Sequence, residues 1–370
     1  MKGKTRVRLS TILAVLSALA MITAADGKAS AAGKGRSSHM DRIINVEGCG
    51  GCHGGRGFPG GGLLKGRAEK LCYRCHGLDS PGRGRSGADI ESVMHKMSRH
   101  PVEETSHLHN RREELPASSP IDPRHVACAD CHLTHITDPE KAWNGVPGYI
   151  PGQARGRARG GVPTGIRKKM ADLEYEICYR CHSDGANMGF GARDISEEFD
   201  TTNMSYHPVE MAGRNRNVPS LVTGMSEAAV IVCTSCHGNS DPNGPSGPHG
   251  SDYAPILRAE YRTSDGPESA ISYTLCYLCH DRTSILADES FKGHREHVAL
   301  QGLACKNCHN AHGSRDYSHL IKFDVAGITN ASDGMGPLYM DGAPGTPKCF
   351  LNCHGADHNT LDINGRPWPW

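Results

Sequence analysis

Apolar and polar residues alternate irregularly along this chain, and few stretches have the periodicity of a helix or a strand. Residues 68–74 and 90–99 predict short helices, and the apolar run at residues 229–232 predicts an isolated strand. Most of the remaining sequence is Gly- and Pro-rich connection, which is typical of loops. The pattern therefore predicts a loop-rich protein with short α-helices and little β-sheet.

The N-terminus has the pattern of a secretory signal peptide. Basic residues precede an apolar run at residues 11–25, which is too short to cross a bilayer comfortably. Ala29-Ser30-Ala31 then offers a small-x-small cleavage site. We predict a signal peptide over residues 1–31 and an exported protein, located in the periplasm or at the cell surface. A retained membrane anchor is the alternative, and the shortness of the run argues against it.

Composition adds a problem about the interior. Only 37% of the 370 residues are apolar and 5% are aromatic, which is too few large side chains to fill a core of the expected size. The chain is partly disordered, or something other than side chains fills it. Residues 1–31 carry a net charge of +4, so the mature chain has −3 instead of the +1 of the whole chain. This balance excludes a nucleic-acid partner.

The sixteen cysteines fall into eight pairs, each followed at once by a histidine. Seven pairs have the spacing C-x-x-C-H: Cys49/Cys52/His53, Cys72/Cys75/His76, Cys128/Cys131/His132, Cys178/Cys181/His182, Cys233/Cys236/His237, Cys276/Cys279/His280 and Cys305/Cys308/His309. The eighth has one extra residue, Cys349-Phe-Leu-Asn-Cys353-His354. C-x-x-C-H is the attachment motif of c-type haem, whose vinyl groups take the thiols and whose iron takes the histidine as proximal ligand. We therefore predict eight covalently bound c-type haems (iron).

Two other interpretations of the cysteines are weaker. Eight disulfides in an exported chain would not explain a histidine after every pair. Zinc ribbons use cysteine pairs as four-ligand sets, without the adjacent histidine. For the eighth pair, whose spacing is irregular, an exposed disulfide remains the alternative.

An internal repeat organises the motifs into modules. The pattern aliphatic-Cys-Tyr-x-Cys-His occurs at Cys72, Cys178 and Cys276, and each time a second motif follows. The predicted organisation is an N-terminal single-haem segment (32–66), two-haem modules at 67–142, 171–265 and 266–325, a Gly/Pro/Arg-rich linker (143–170) and a C-terminal single-haem segment (326–370). The basic residues of the linker suggest a docking surface, but a solvated loop is the simpler interpretation.

Fourteen histidines lie outside the motifs, enough for a second imidazole on every iron. Methionine is the competing ligand, but the histidine surplus favours bis-histidine haems of low potential. Histidines recur after the modules in His-Pro-Val and His-Gly-Ser segments. With the segment at residues 174–182 and the C-terminal motif, these resemble the doubled-C-x-x-C-H family of multihaem c-type cytochromes, including exported octahaem cytochromes of metal-reducing bacteria. The resemblance covers about residues 49–358.

The resemblance implies a haem-packed fold in which downstream histidines are distal ligands. By resemblance, the candidates are His100, His135, His207, His249, His297 and His312, with His294 and His358 completing eight and His39, His109 and His319 in reserve. One departure is that His249 follows His237 by 12 residues, with no Cys-His-x-x-His.

Three functions follow from this chemistry. Irons with two imidazoles cannot bind substrate, so we expect an electron carrier in extracytoplasmic respiration and no enzyme activity. An octahaem reductase would need an open iron, often marked by lysine in place of a proximal histidine, and all eight positions here are histidine. The third function is a subunit of a conductive cytochrome filament. The expected partners are other redox proteins such as cytochromes, an outer-membrane complex or an extracellular electron acceptor, and further copies of the chain.

Overall fold

The computed structural model describes residues 48–55, 63–78, 88–103, 115–116, 126–135, 141–152, 163–184, 193–323, 326–341, 347–353 and 355–359. All of them belong to one unit, Ser38–Trp370. The predicted signal peptide lies outside the described residues. Within the described ranges, no helix combines the length and hydropathy needed to cross a membrane.

Short helices carry most of the cysteine motifs. In the part of the chain that the structure describes, the α-helices are α1 (Ala68–His76), α2 (Ile90–Met94), α3 (Cys128–Cys131), α4 (Glu174–His182), α5 (Ile195–Glu198), α6 (Thr274–Tyr277) and α7 (Arg282–Leu286). Single 3-10 turns span Cys49–Gly51, Cys233–Ser235 and Cys305–Asn307, and a π-helical turn spans Arg295–Leu300. The longest of these helices has nine residues, so none is stable without contacts from the rest of the fold.

Strands are equally short. They are β1 (Ser98–Arg99), β2 (Gly148–Ile150), β3 (Ile166–Lys168), β4 (Ser205–Tyr206), β5 (Gly250–Ser251), β6 (Gly313–Ser314), β7 (Ile328–Thr329), β8 (Leu338–Met340), β9 (Lys348–Cys353) and β10 (Ala356–His358). Three antiparallel pairs form, β1 with β5, β2 with β3 and β4 with β6. In the one larger sheet, β9 pairs with β7, β8 and β10. The prediction of short helices with little sheet is confirmed, but the helix predicted over residues 90–99 ends at Met94, and Ser98–Arg99 forms a strand.

The buried apolar side chains form small, distinct clusters. One contains Tyr149, Tyr179, Phe199 and Val209, a second Tyr73, Met94 and Val102, and a third Val146, Ala171 and Ile177. None approaches the size of the single core that a chain of this length ordinarily builds. The low apolar content of the sequence is thus visible in the fold itself.

The prediction of a strand at residues 229–232 is wrong. Val230 and Val232 are 57% and 42% exposed, and the Ile231 amide makes one bond, to the carbonyl of Pro208 (2.9 Å). Ile231 packs against the Tyr149 cluster. The apolar character of the run is used by Ile231, which covers this core cluster. Among the described residues, no strand pairs with the run.

The segment predicted as a linker, residues 143–170, contributes to the core at both of its described ends. Tyr149 on β2 is fully buried, and its hydroxyl donates to Oδ1 of Asp184 (2.7 Å). On β3, Arg167 donates to the Pro116 carbonyl (2.8 Å) and Lys168 bonds Glu176. These two basic residues therefore link β3 to other parts of the fold, and the docking interpretation stays a prediction.

Candidate haem-binding sites

One helical turn brings both cysteines and the histidine of a regular motif to the same side. The amide of the motif histidine donates to the carbonyl of the first cysteine at 2.9 to 3.0 Å in five motifs, those of His53, His132, His237, His280 and His309. His76 and His182 end the helices α1 and α4. None of the sixteen cysteines, all of which are described, forms a disulfide. A regular motif folded in this way has its two thiols and its imidazole on one side, as covalent haem attachment requires.

Exposure to solvent sets Cys75 apart from most of the predicted thioether cysteines. It is exposed, as are Cys49 and Cys181, whereas the other cysteines are half-buried. Cys181 nevertheless lines the large cavity described below, and Cys75 does not. The sequence predicts thioether attachment for both cysteines of this motif, but their surroundings on α1 differ. Cys72 bonds Cys128, whereas Cys75 lies on the solvent side of the last helical turn. The thioether role of Cys75 stays a prediction.

Six motif histidines each face a second histidine from elsewhere in the chain. The distances between ring centres are 6.1 Å for His53–His135, 5.9 Å for His132–His249, 6.3 Å for His182–His100, 6.2 Å for His237–His312, 6.3 Å for His280–His207 and 6.3 Å for His309–His294. All six partners are histidines that the sequence predicts as distal ligands.

The spacing of these pairs fits two imidazoles on one iron. Two metal–nitrogen bonds of about 2 Å in line, extended to the ring centres, place the centres about 6 Å apart. Ordinary aromatic pairs spread over roughly 4.5–7 Å, whereas the six pairs fall within 5.9–6.3 Å. Among the described residues, no group of three or more His, Cys, Asp or Glu is arranged to hold a metal ion. The spacing of the pairs suits an iron whose other ligands come from a porphyrin.

Hydrogen bonds fix the orientation of many of these imidazoles. Nδ1 lies within hydrogen-bonding distance of a backbone carbonyl in His100, His132, His207, His237, His297 and His309, whose acceptors are Pro248, Ala142, Ala311, Pro255, Gly293 and His319 in that order. A carbonyl can only accept, so each Nδ1 carries the proton. This tautomer leaves the Nε2 lone pair available to a metal, as in other metal-bound histidines.

Burial keeps several of the paired imidazoles neutral. It lowers the pKa of His249, His280 and His294 to about 4, with neighbouring histidines adding to the effect. Burial also lowers the pKa of His207 and His237. Since only a neutral imidazole can bind a metal, these side chains are in the binding form at neutral pH.

Two short antiparallel ladders hold the partner histidines in pairs. Beside the β1–β5 ladder, the amide of His100 donates to the carbonyl of His249 (3.2 Å). Beside the β4–β6 ladder, the amide of His207 donates to the carbonyl of His312 (2.9 Å). Each ladder joins a His-Pro-Val segment to the His-Gly-Ser segment of the next module.

The ladders also exchange histidines between modules. His100, from the first module, faces His182 in the second, while His249, from the second, faces His132 in the first. The second and third modules make the same exchange through His207 and His312. Neighbouring modules are therefore interlocked, and a module taken alone would lack one imidazole partner of each exchanged pair. The predicted module boundaries stay predictions.

A continuous cavity of about 2220 Å³ lies among these side chains. Its lining includes cysteines of the third to eighth motifs, together with His100, His182, His207, His237, His280, His294, His297, His309, His312 and His358. It exceeds the roughly 300–1,000 Å³ of an ordinary small-molecule pocket. Its size and its lining fit several macrocycles. Such groups would fill the part of the interior that the small side-chain clusters do not occupy.

Thiols of consecutive motifs are neighbours throughout the chain. A hydrogen bond with Cys128 raises the pKa of Cys72, which Cys52 raises further, and a hydrogen bond with Cys233 raises that of Cys178. Burial raises the pKa of four others, with added contributions from the next motif: Cys131 to about 12 beside Cys181, Cys236 to about 11 beside Cys279, Cys276 to about 12 beside Cys305, and Cys308 to about 12 beside Cys349. The motifs thus follow one another in space in their sequence order.

The remaining predicted residues have varied positions. His297 faces His358, with ring centres 5.9 Å apart. His319 lies beside Tyr339, and its carbonyl accepts the bond from His309, a predicted ligand. Among the described residues, no imidazole is paired with it. The predicted proximal ligand His354 and the reserves His39 and His109 lie outside the described residues.

Sequence reasoning missed residues that connect or support the motifs. Arg74 donates to the carbonyl of Gly51 (2.7 Å), and Arg180 to that of Asp130 (2.6 Å), so each arginine ties one motif to the motif before it. The repeated Cys-Tyr-Arg-Cys could have indicated this role. Glu198, which bonds His312, had no such signal because the two are 114 residues apart.

Comparison with known proteins identifies a family for part of the chain. Residues 43–80, which contain the first two motifs, match the family model of the doubled CXXCH motif. The match supports a c-type cytochrome-like multihaem protein. It implies covalent c-type haem binding and, with it, electron transfer. No curated protein and no solved structure matches the chain.

Proposed function

We propose that this chain is an exported electron carrier that binds eight c-type haems, most of them through two histidines. Bound haem supplies a one-electron iron couple, and the chain supplies attachment, orientation and a dry surrounding. Cysteines of the eight motifs hold the groups, with His53, His76, His132, His182, His237, His280 and His309 as proximal ligands in the seven regular motifs. The imidazole pairs are the observation that carries this proposal.

The pairs favour a carrier over an octahaem reductase. Where both axial positions of an iron are filled by protein nitrogens, no position is left for a substrate. Six motif histidines already have a partner imidazole at the spacing of a shared metal. The Nδ1–carbonyl bonds hold these rings in place and thereby oppose the opening of a coordination site.

The order of the motifs supports a linear path. Because thiols of consecutive motifs are neighbours, groups attached to them follow one another from the first motif to the eighth. Electrons enter and leave through other redox proteins or an outer-membrane complex, with an extracellular acceptor at the end of the route. Self-association into a conductive filament is the alternative use of such a path.

A haem count combined with spin-state measurement tests the function. The purified mature protein should give eight haems per chain by pyridine haemochrome, with only low-spin signals in paramagnetic resonance and no response to carbon monoxide or nitrite. A high-spin signal equal to one haem in eight would instead favour a reductase. Fewer than eight haems would contradict the proposed number.

A further inference from the structure

The C-terminal motif differs from the other seven in its backbone. The regular motifs place their cysteines on helical turns, whereas Cys349 and Cys353 lie on the strand β9. The histidine directly after the second cysteine is suited to iron in a helical turn, because residues i and i+4 share one face of a helix. In a strand, residues two and four apart share a face. On a strand, the residue directly after the second cysteine points to the face opposite the cysteines, so we expect the ligand at another position.

The hairpin of β9 and β10 brings another histidine onto the cysteine face. His358 is paired with Leu351. Leu351 lies two residues from each cysteine on β9, so all three side chains point to the same face of the strand. Antiparallel partners point to the same side of a sheet, so His358 shares a face with Cys349 and Cys353. All four residues line the large cavity, whereas Phe350, on the opposite face, does not.

Specific bonds hold this hairpin. Gly355 has a φ of 86° in the turn, a conformation that favours glycine, and its amide donates to Oδ1 of Asn352 (3.1 Å). Asp357, beside His358, accepts from the amide of Ser332 (2.9 Å) and from Asn359 (2.9 Å). The position of His358 is therefore set by its neighbours on both sides.

The repeat identifies the residue that faces His358. The histidine after the second motif, His100, faces the fourth motif, and the histidine after the fourth, His207, faces the sixth. Its counterpart after the sixth motif is His297, so the repeat predicts that His297 faces the eighth motif. The structure places it opposite His358 at 5.9 Å, with Nδ1 held by the Gly293 carbonyl at 2.7 Å.

We infer that His297 and His358 are the axial ligands of the C-terminal haem. The attachment unit is then Cys349-x3-Cys353-x4-His358, with His358 in the role that the histidine after the second cysteine has elsewhere. This inference rests on the proposed haem binding. It changes the ligand assignment at the end of the path, where the thiols of Cys349 and Cys353 neighbour Cys308 of the seventh motif.

Methionine substitution distinguishes a ligand from a structural residue, because a histidine–methionine iron has a higher potential than a bis-histidine iron. In His297→Met and in His358→Met, one haem of the eight should show the methionine-ligation absorption band and a raised potential. His95→Met is the matched control: its ring nitrogen lies 3.3 Å from Glu103, and its spectrum should equal that of the wild type.

The possible outcomes distinguish a failure of the ligand assignment from a failure of the proposed haem binding. If His297→Met or His358→Met is indistinguishable from His95→Met, the ligand assignment is overturned while haem binding stands. If the wild-type protein lacks a full set of low-spin bis-histidine haems, the proposed function fails before any variant is compared.

Discussion

Nδ1 of His312 lies 2.8 Å from Oε2 of Glu198, on a helix that ends 114 residues earlier in the chain. Burial alone would raise the pKa of Glu198, but hydrogen bonds with His312 and Asn310 and the positive charge of Lys322 lower it to about 2. The carboxylate is therefore ionised at neutral pH. A carboxylate partner makes an imidazole a more strongly donating ligand than a carbonyl partner does, which stabilises the oxidised metal.

Glu198→Gln should therefore raise the potential of one haem, that of the Cys233/Cys236 motif, whose His237 faces His312. A tenfold loss in the preference for the oxidised state corresponds to about 59 mV, and we expect a shift of this order. Spectroelectrochemical titration measures it. Glu197→Gln, at an exposed neighbouring position, is the control and should leave the titration unchanged. Identical curves for the two variants would contradict the role given to Glu198.

Glycine follows His312 because the chain passes very close to another segment there. A Cβ on Gly313 would collide with the carbonyl oxygen of Glu198. Gly313→Ala should lower the free energy of unfolding by about 1–3 kcal/mol, the usual cost of overpacking. Thermal unfolding followed by circular dichroism checks this. Gly66→Ala, where nothing lies within 4 Å of the added carbon, should melt like the wild type; equal melting of both variants would refute the explanation.

The arginines between the motif cysteines should differ in importance. Arg180 is 7% exposed and bonds the Asp130 carbonyl, whereas Arg74 makes the equivalent bond from an exposed position. The third repeat has Leu278 in this place, so leucine is compatible with the local helix. Arg180→Leu should cost about 1.5–3 kcal/mol by removing a charged hydrogen bond to a buried carbonyl, and Arg74→Leu about 0.5 kcal/mol or less.

Chemical denaturation of the two leucine variants provides the comparison. Equal midpoints would show that burial does not decide the strength of these links. A larger loss for Arg74→Leu would indicate that the first two motifs are the more dependent pair.

The sequence predicted which cysteines and histidines are candidates better than it predicted which histidines face each other. Cysteine spacing identified the helical motifs, and the His-Pro-Val and His-Gly-Ser segments identified His100, His207, His249 and His312 as candidates. Their exchange between modules could not be read from the sequence, because the ladders that create it join residues more than a hundred positions apart. Short two-residue strands have no periodicity that a pattern could detect.

One local prediction failed for a physical reason, and the C-terminal motif shows another limit of the sequence pattern. The apolar run at residues 229–232 resembles a strand, but strand formation depends on a neighbour that the fold does not provide. The C-terminal motif resembles the others in residue types, yet its extra residue accompanies a strand in place of a helical turn. From that change of backbone we infer His358, on β10, as the ligand, while the role predicted for His354, which lies outside the described residues, is untested.

The most direct test of the account is an iron-anomalous difference map from crystals of the mature haem-loaded protein. The account predicts an iron between His132 and His249, and another between His182 and His100, so that each iron has ligands from two modules. At either of these two positions, an iron ligated by two histidines of the same module would contradict the interlocked arrangement.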